Sequence, residues 1–501
     1  MEHYAPVELL LPDSGEAVLA TLRERLALDV GRARRADRIL LDSFDGRLRE
    51  AGLRAEAPVR GATLTLYEPG APVRREKVAR APRYLVQELP RGPLRERLAG
   101  VLEERALLPA VRVRGTVRPL AVLNGDAKTV VRLELEDAEA VLARGRRVPL
   151  ASRLTVEPVL GYDAELEHTL RVLRDRLGFA PAERPLFDEA VLAAGGLPEG
   201  ISTKPKIDLA RGTRTDRAAG VVLRRLLEIA EANLAGTIED LDTEFLHDLR
   251  VSIRRTRSVL RELKGVHDAE QRTRLRDELK WAQNLTGPVR DLDVELLEWE
   301  ELVGLLPPDR QPELEPLREL LAQRRARELT KLRRGLRSER FRNVFAAWKA
   351  LAEAPPADDQ PNAARPIEEV AAERIRKVYR RMVRDGGRID DGSPAEDLHD
   401  LRKRGKELRY LLELFGSPFS KAVVKPMVST LKDLQEVLGR FQDRAVQIEL
   451  LYEVRDELRD EPATLMALGS LLDALVADQQ AARDEFATTF DHFKGHAVPK
   501  P

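Results

Sequence analysis

The spacing of apolar positions changes near residue 200. Before it, apolar and polar residues alternate in short runs: ATLTLYE from Ala62, AVRVRGTVRPLAVL from Ala110, TVVRLELE from Thr129 and SRLTVEPVL from Ser152. Alternation at period two predicts strands with one buried face. Helical spacing is interspersed at Glu16–Ala27, Pro93–Glu104 and Ala164–Leu177. The expectation for residues 1–200 is therefore an α+β domain with an antiparallel sheet. A connector, GGLPEGISTKPKI from Gly195, follows. From about Arg211 the apolar residues recur every three to four positions with almost no strand signal. Breakers at KGVHDAEQ (from Lys264), GLLPPDRQPELEP (from Gly304), DGGRIDDGSP (from Asp385) and GSPFSK (from Gly416) punctuate this region. They predict about eight helices in an all-α domain over 205–501, in two groups at about 211–352 and 364–496, parted by the Pro/Asp-rich stretch 354–366.

The two groups are copies. At a fixed offset of 152, Leu246-His247-Asp248-Leu249-Arg250 falls on Leu398-His399-Asp400-Leu401-Arg402. Arg254 falls on Lys406, Arg257 on Arg409, Lys280 on Lys432, Gln283 on Gln435, Gly287 on Gly439 and Asp291 on Asp443, while Arg224 and Arg225 fall on Arg376 and Lys377. No gap is needed, so a duplicated helical bundle with pseudo-twofold symmetry is expected.

The duplicated helix has two faces. At about 100° per residue, His247, Arg250, Arg254, Arg257 and Arg261 occupy roughly 80° of arc, beside an apolar stripe of Leu246, Leu249, Ile253, Leu260 and Leu263. His399, Arg402, Lys406 and Arg409 take the same angles in the second copy. Exposed helices usually interleave acids with bases; this arc has none in the first copy, and Glu413 enters only at the end of the second. Like charges stacked at i,i+3 and i,i+4 each cost a few tenths of a kcal/mol, so a counter-anion is expected there. The row is roughly 20 Å long, and arginine grips phosphate oxygens bidentately. That suits a linear chain of phosphates, gripped more strongly in mild acid, where histidine is protonated. Arg225, Lys377, Lys280 and Lys432 are further candidates for the same groove. Asp248 and Asp400 read as first-turn helix acids, and Asp291 and Asp443 as N-caps following a Gly-marked turn.

Composition narrows the options. A chain of 501 residues predicts two or three domains. Lys+Arg and Asp+Glu both total 85, split 32 to 31 before residue 200 and 53 to 54 after it, so an anion site must come from arrangement rather than excess charge. The absence of cysteine excludes disulfides and thiolate metal sites. No apolar run approaches the roughly 18 to 20 residues of a membrane span. The start, MEHYAPVELLLPDSGE, lacks the basic and apolar regions of a signal peptide, so a cytoplasmic location is expected.

The paired HDLR helices, the RDLDV segment and the duplicated bundle resemble the CHAD family, the histidine-bearing α-helical domain that binds inorganic polyphosphate, over about Arg211 to His496. The resemblance implies two four-helix bundles with basic residues facing a central cavity or groove, no catalysis and no cofactor, and association with polyphosphate granules. By position, His247, Arg250, Arg254, Arg257, His399, Arg402, Lys406 and Arg409 match the family's basic ligands. Gly405 departs from the pattern and implies close helix packing or a cost of about 1 kcal/mol.

CHAD domains often follow a CYTH domain, the triphosphate-tunnel fold. LLDSFDGRLREAGLRAEAP (from Leu40), VRVRGTVRPL (from Val111) and LTVEPVLG (from Leu154) resemble its strands. The family's metal-binding ExExK should fall in PVELLLP (from Pro6), where only Glu8 is present. The expectation is a degenerate CYTH-like barrel without triphosphatase activity or metal; Arg112, Arg114, Glu134, Glu136 and Glu157 read either as remnants of a tunnel or as ordinary half-buried strand charges. The alternatives are a triphosphate-tunnel phosphohydrolase acting on short polyphosphates, and a scaffold using the basic groove for protein, nucleic acid or another polyanion. Aromatics of only 4% disfavour single-strand stacking.

Overall fold

The structure, a computed structural model, describes residues 6–499 apart from Ser14, Gly70, Pro72, Lys204, His496 and Ala497. Met1–Ala5, part of the segment read against a signal peptide, and His496, the expected end of the second copy, lie outside the described residues. The chain divides into two units, Met1–Thr203 and Lys204–Pro501.

The first unit is one antiparallel sheet. Its strands are β1 (Val7–Leu10), β2 (Leu28–Val30), β3 (Arg34–Asp42), β4 (Arg54–Pro58), β5 (Thr63–Tyr67), β6 (Arg74–Lys77), β7 (Leu108–Leu123), β8 (Thr129–Val141), β9 (Arg147–Pro149), β10 (Arg153–Pro158) and β11 (Ala180–Pro181). The order is β11-β1-β10-β8-β7-β3-β4-β5-β6, with β2 on β7 and β9 on β8. Among the described residues the edge strands β11 and β6 do not pair, so the sheet is open and the degenerate barrel does not close. Helices cover its apolar patches. α1 (Gly15–Arg25) and α4 (Asp163–Arg171) pack on Leu9, Leu133, Leu135 and Leu154. α2 (Arg47–Glu50) and α3 (Pro93–Leu102) pack on Ala55, Leu64 and Leu66, and α5 (Leu186–Ala193) on Val113 and Ala140.

The five strand charges do not share one face of the sheet. Val117 lies opposite Glu136 and Arg114 opposite Glu139, so Arg112 and Arg114 point to the other face of the sheet from Glu134 and Glu136. Glu157 shares the Glu134 face, since Thr155 lies opposite Glu134 and Glu157 two residues further along β10. Arg112 pairs with Asp37 at 2.7 Å, and Glu136 with buried Arg38 at 2.6 Å.

The second unit is all helix: α6 (Thr215–Glu239), α7 (Thr243–Glu262), α8 (Ala269–Leu297), α9 (Trp299–Val303), α10 (Glu315–Leu336) and α11 (Glu339–Ala352), then α12 (Ile367–Gly386), α13 (Ala395–Phe415), α14 (Lys421–Val454) and α15 (Pro462–Lys494). Neighbours in sequence pack together within each copy, and α11 returns onto α6. Asp242 caps α7 by accepting from the amides of Glu244 and Phe245. The apolar stripes of both copies join one core: Leu246, Leu249, Ile253 and Leu260 share it with Leu398, Leu401, Leu408 and Leu412.

Two local expectations fail here. α8 runs unbroken through Gly287 and Pro288, and α14 through Gly439, so Asp291 and Asp443 are mid-helix residues rather than N-caps. Burial along both long helices outweighs the roughly 1 kcal/mol cost of an interior glycine. Asp248 and Asp400 fall in the second turn of their helices, where Asp248 is buried and Asp400 pairs with Lys403 at 3.1 Å.

Candidate phosphate-chain track

The seam between the copies sets the geometry of the basic rows. Arg255 on α7 pairs with Glu413 on α13 at 2.7 Å, and Arg261 with Glu407 at 2.8 Å. Positions 255 and 407 are twins under the offset of 152, as are 261 and 413. The two bridges are therefore one contact made twice about the pseudo-twofold, with arginine at both positions on α7 and glutamate at both on α13. Reciprocal pairing of 255 with 413 and 261 with 407 means the helices pass in opposite senses, crossing near Ser258 and Tyr410, both buried. The basic rows thus continue one another through the crossing, with a histidine at each far end. Laid end to end, the track would be roughly 30 Å long.

Arg261 is committed to the seam. It is held by Glu407 and by Glu262 at 3.0 Å, so it closes the seam rather than offering a free cation. Its twin being Glu413 was the signal in the sequence.

The first copy's row is the less neutralised of the two. Among the described residues Arg250, Arg254, Arg257 and Lys406 have no carboxylate within ion-pair distance, whereas Arg402 pairs with Asp443 at 3.1 Å and Arg409 with Glu413 at 3.2 Å. The buried Nε groups of Arg254, Arg257, Arg402 and Arg409 lack an acceptor in hydrogen-bonding geometry. Leaving such a donor unmet costs about 1–3 kcal/mol. Arg250 gives one Nη1 to the Gln283 carbonyl and Thr286 Oγ1, both at 3.0 Å, and burial draws it down to about 10, still charged at neutral pH. Burial, reinforced by Arg402 and Arg254, draws the Lys406 amine down to about 7. Arg254 belongs to the first copy and Lys406 to the second, so the charges of the two rows act on each other.

Neutral amides place the guanidiniums. Arg257 donates to Gln283 Oε1, and its twin Arg409 donates to Gln435 Oε1 at 2.8 Å. Both glutamines matched in the repeat, but an uncharged side chain gave no sign of a role. Gly405 is buried, and a Cβ there would sit 3.3 Å from Gln435 Nε2, so the bare backbone makes room for the acceptor of Arg409. Lys280 and Lys432 are exposed one turn before these glutamines.

At the track's ends, His399 Nδ1 meets Gln442 Oε1. His247 is half-buried, with ligand atoms of Glu244 and Asp248 within 4.8 Å, a spacing that three metal ligands would need. Arg290 stands 3.8 Å from Glu244, and Arg250 lies one turn along the helix, so the surroundings disfavour a cation and no metal is assigned. Arg225 pairs with Glu228 at 3.1 Å. Lys377 does not line the track: it is exposed in a separate cavity formed by α12 alone.

Curated relatives are the uncharacterized proteins MT2285 and Rv2226 of two Mycobacterium tuberculosis strains, 30% and 29% identical over 223 residues. The match covers 42% of this chain and 40% of each relative, so the chain spans well under half the length of the relatives it matches. Among solved structures, the CHAD domain from Ricinus communis is 22% identical with a TM-score of 0.49, covering 59% of this chain and 97% of that one. PptA from Streptomyces chartreusis is 19% identical with a TM-score of 0.46, covering 56% and 100%. Residues 221–452, which hold α7, α8, α13 and almost all of α14, match the model of the CHAD domain family.

Proposed function

We propose that this chain binds linear inorganic polyphosphate along the α7–α13 track without cleaving it, and acts in the cytoplasm at polyphosphate granules. The observation that carries the reading is the cluster of Arg254 and Lys406 from opposite copies, with Arg250 and Arg257, half-buried together and lacking carboxylate partners. A fold does not assemble unneutralised cations beside its core unless an anion completes them. A row of roughly 30 Å suits a chain rather than a compact anion.

A non-catalytic role is supported by Glu8. At the strand where a tunnel phosphohydrolase would keep its metal-binding acids, Glu8 pairs with buried Arg153 and accepts from the Leu186 amide at 3.0 Å, so it is committed to packing. Nucleic acid is disfavoured because Phe245, Tyr410 and Phe415, the aromatics of α7 and α13, are all buried and offer no stacking face.

The test is titration of the full chain with a defined-length polyphosphate across a salt series. Affinity should fall steeply with salt, by about 0.7 in log K per log salt for each phosphate contact, and Arg254→Ala with Lys406→Ala should weaken binding about 100-fold, near 3 kcal/mol. Binding that is insensitive to salt, or unchanged in the double variant, rejects the reading.

A further inference from the structure

The copies are twins, so a surface pattern that folding requires should occur in both. The outer face of α12 breaks that rule. Arg376, Lys377, Arg380, Arg381 and Arg384, with Glu373, line a cavity of about 530 Å³. At the twin positions on α6 stand Arg224, Arg225, Glu228, Ile229 and Ala232, with Val221 in place of Glu373. The second copy has gained cations that the first does without.

These cations are poorly neutralised. Glu373 is engaged by Arg365 at 2.5 Å, and Arg384 by Asp385 at 2.8 Å. Among the described residues Lys377, Arg380 and Arg381 have no ion-pair partner. Arg376, Arg380 and Arg384 stack at i,i+4, as do Lys377 and Arg381, an arrangement that costs a few tenths of a kcal/mol per pair unless an anion lies over it. α12 packs against α13, and Asp385 at the end of the ridge pairs with Arg404 of that helix, so the ridge lies on the neighbour of the track's second half.

We propose that the outer face of α12 is a second docking ridge for the same linear polyphosphate, engaged by the part of a long chain that overhangs the track. The inference rests on the polyphosphate reading of the track. A chain already held there presents its overhang to α12 at high effective concentration, so modest contacts raise the affinity for long chains selectively. Length discrimination then resides in the second copy alone.

The experiment compares a short polyphosphate, no longer than the track, with one several times longer, on the full chain at fixed salt. Lys377→Gln with Arg380→Gln and Arg381→Gln changes exposed side chains and should leave thermal unfolding in place. Short-chain affinity should stay within twofold and long-chain affinity should fall at least tenfold. A control removing three exposed cations elsewhere, Arg334→Gln with Arg337→Gln and Arg342→Gln, should change neither. Long-chain affinity that survives the α12 variant overturns the ridge, and so does an equal loss for short and long chains or an equal loss in the control. If Arg254→Ala with Lys406→Ala leaves short-chain binding intact, the track reading itself fails. Single-stranded RNA that displaces the long chain as well as polyphosphate does would also overturn the proposal, because the ridge would then be a general polyanion surface.

Discussion

Replacing Lys406 with methionine should stabilise the protein while weakening its binding. The amine falls from 10.5 to about 7 because it is buried among Arg402, Arg254 and Arg409. A tenfold change in proton affinity is worth about 1.4 kcal/mol, so with solvent relaxation the charged amine burdens the folded state by ~2–4 kcal/mol. The sign follows from proton counts. Between about pH 7 and 10.5 the unfolded chain holds a proton that the folded chain has released, so wild-type stability rises with pH across that window. Lys406→Met removes the burden and keeps the apolar stem. It should be more stable by ~2–4 kcal/mol near neutral pH, with the gain shrinking towards pH 10. Urea unfolding followed by tryptophan fluorescence reports the right unit, because Trp281, Trp299 and Trp348 all lie in it. Polyphosphate should restore the proton, so wild-type binding near pH 8 takes up close to one proton, measurable by calorimetry in buffers of different ionisation enthalpy, and Lys406→Met should lose that uptake. A variant that is no more stable at any pH, or whose difference from wild type does not vary with pH, refutes the reasoning.

Other consequences follow from named contacts. Arg255→Glu with Arg261→Glu sets acid against acid at both seam bridges and should cost ~1–3 kcal/mol in urea unfolding, while adding Glu407→Arg and Glu413→Arg should restore most of it. Asp443→Asn frees Arg402 from its carboxylate and should tighten polyphosphate binding several-fold in the titration above. Asp293 is buried against Arg325 at 2.5 Å, and Arg325 also binds Asp240 at 2.7 Å, so Asp293→Ala leaves the guanidinium one of its two carboxylates and should cost ~1–3 kcal/mol of unfolding free energy, read by the same fluorescence.

Much of this architecture is legible before any coordinates. Period-two alternation marks β5, β7, β8 and β10, and the offset of 152 exposes the duplication, because both patterns are dictated by which face of an element is buried. β3 was harder: RRADRILLD is polar at one end and apolar at the other, since its first residues border a polar face and its last enter a core. Gly287-Pro288 misleads for the opposite reason. Locally it is a helix breaker, and only packing along the whole of α8 keeps the helix intact. Charge on a helical wheel finds the track, but it cannot tell a cation awaiting an anion from one serving a neighbour. Arg254 and Arg261 lie close together on the wheel, yet one lacks a carboxylate and the other closes the seam. That distinction depends on the partner helix, which the offset encodes only as glutamate in place of arginine at 407 and 413.

The most direct measurement is a crystal structure of the full chain with a linear polyphosphate of about twenty phosphates at low salt, where electrostatic binding is strongest. The account predicts continuous phosphate density running along α7, over the crossing at Ser258 and Tyr410, and onto α13, with Arg254 and Lys406 both on phosphate oxygens. Density that stays on one copy, or a chain bound elsewhere with the crossing bare, would contradict it.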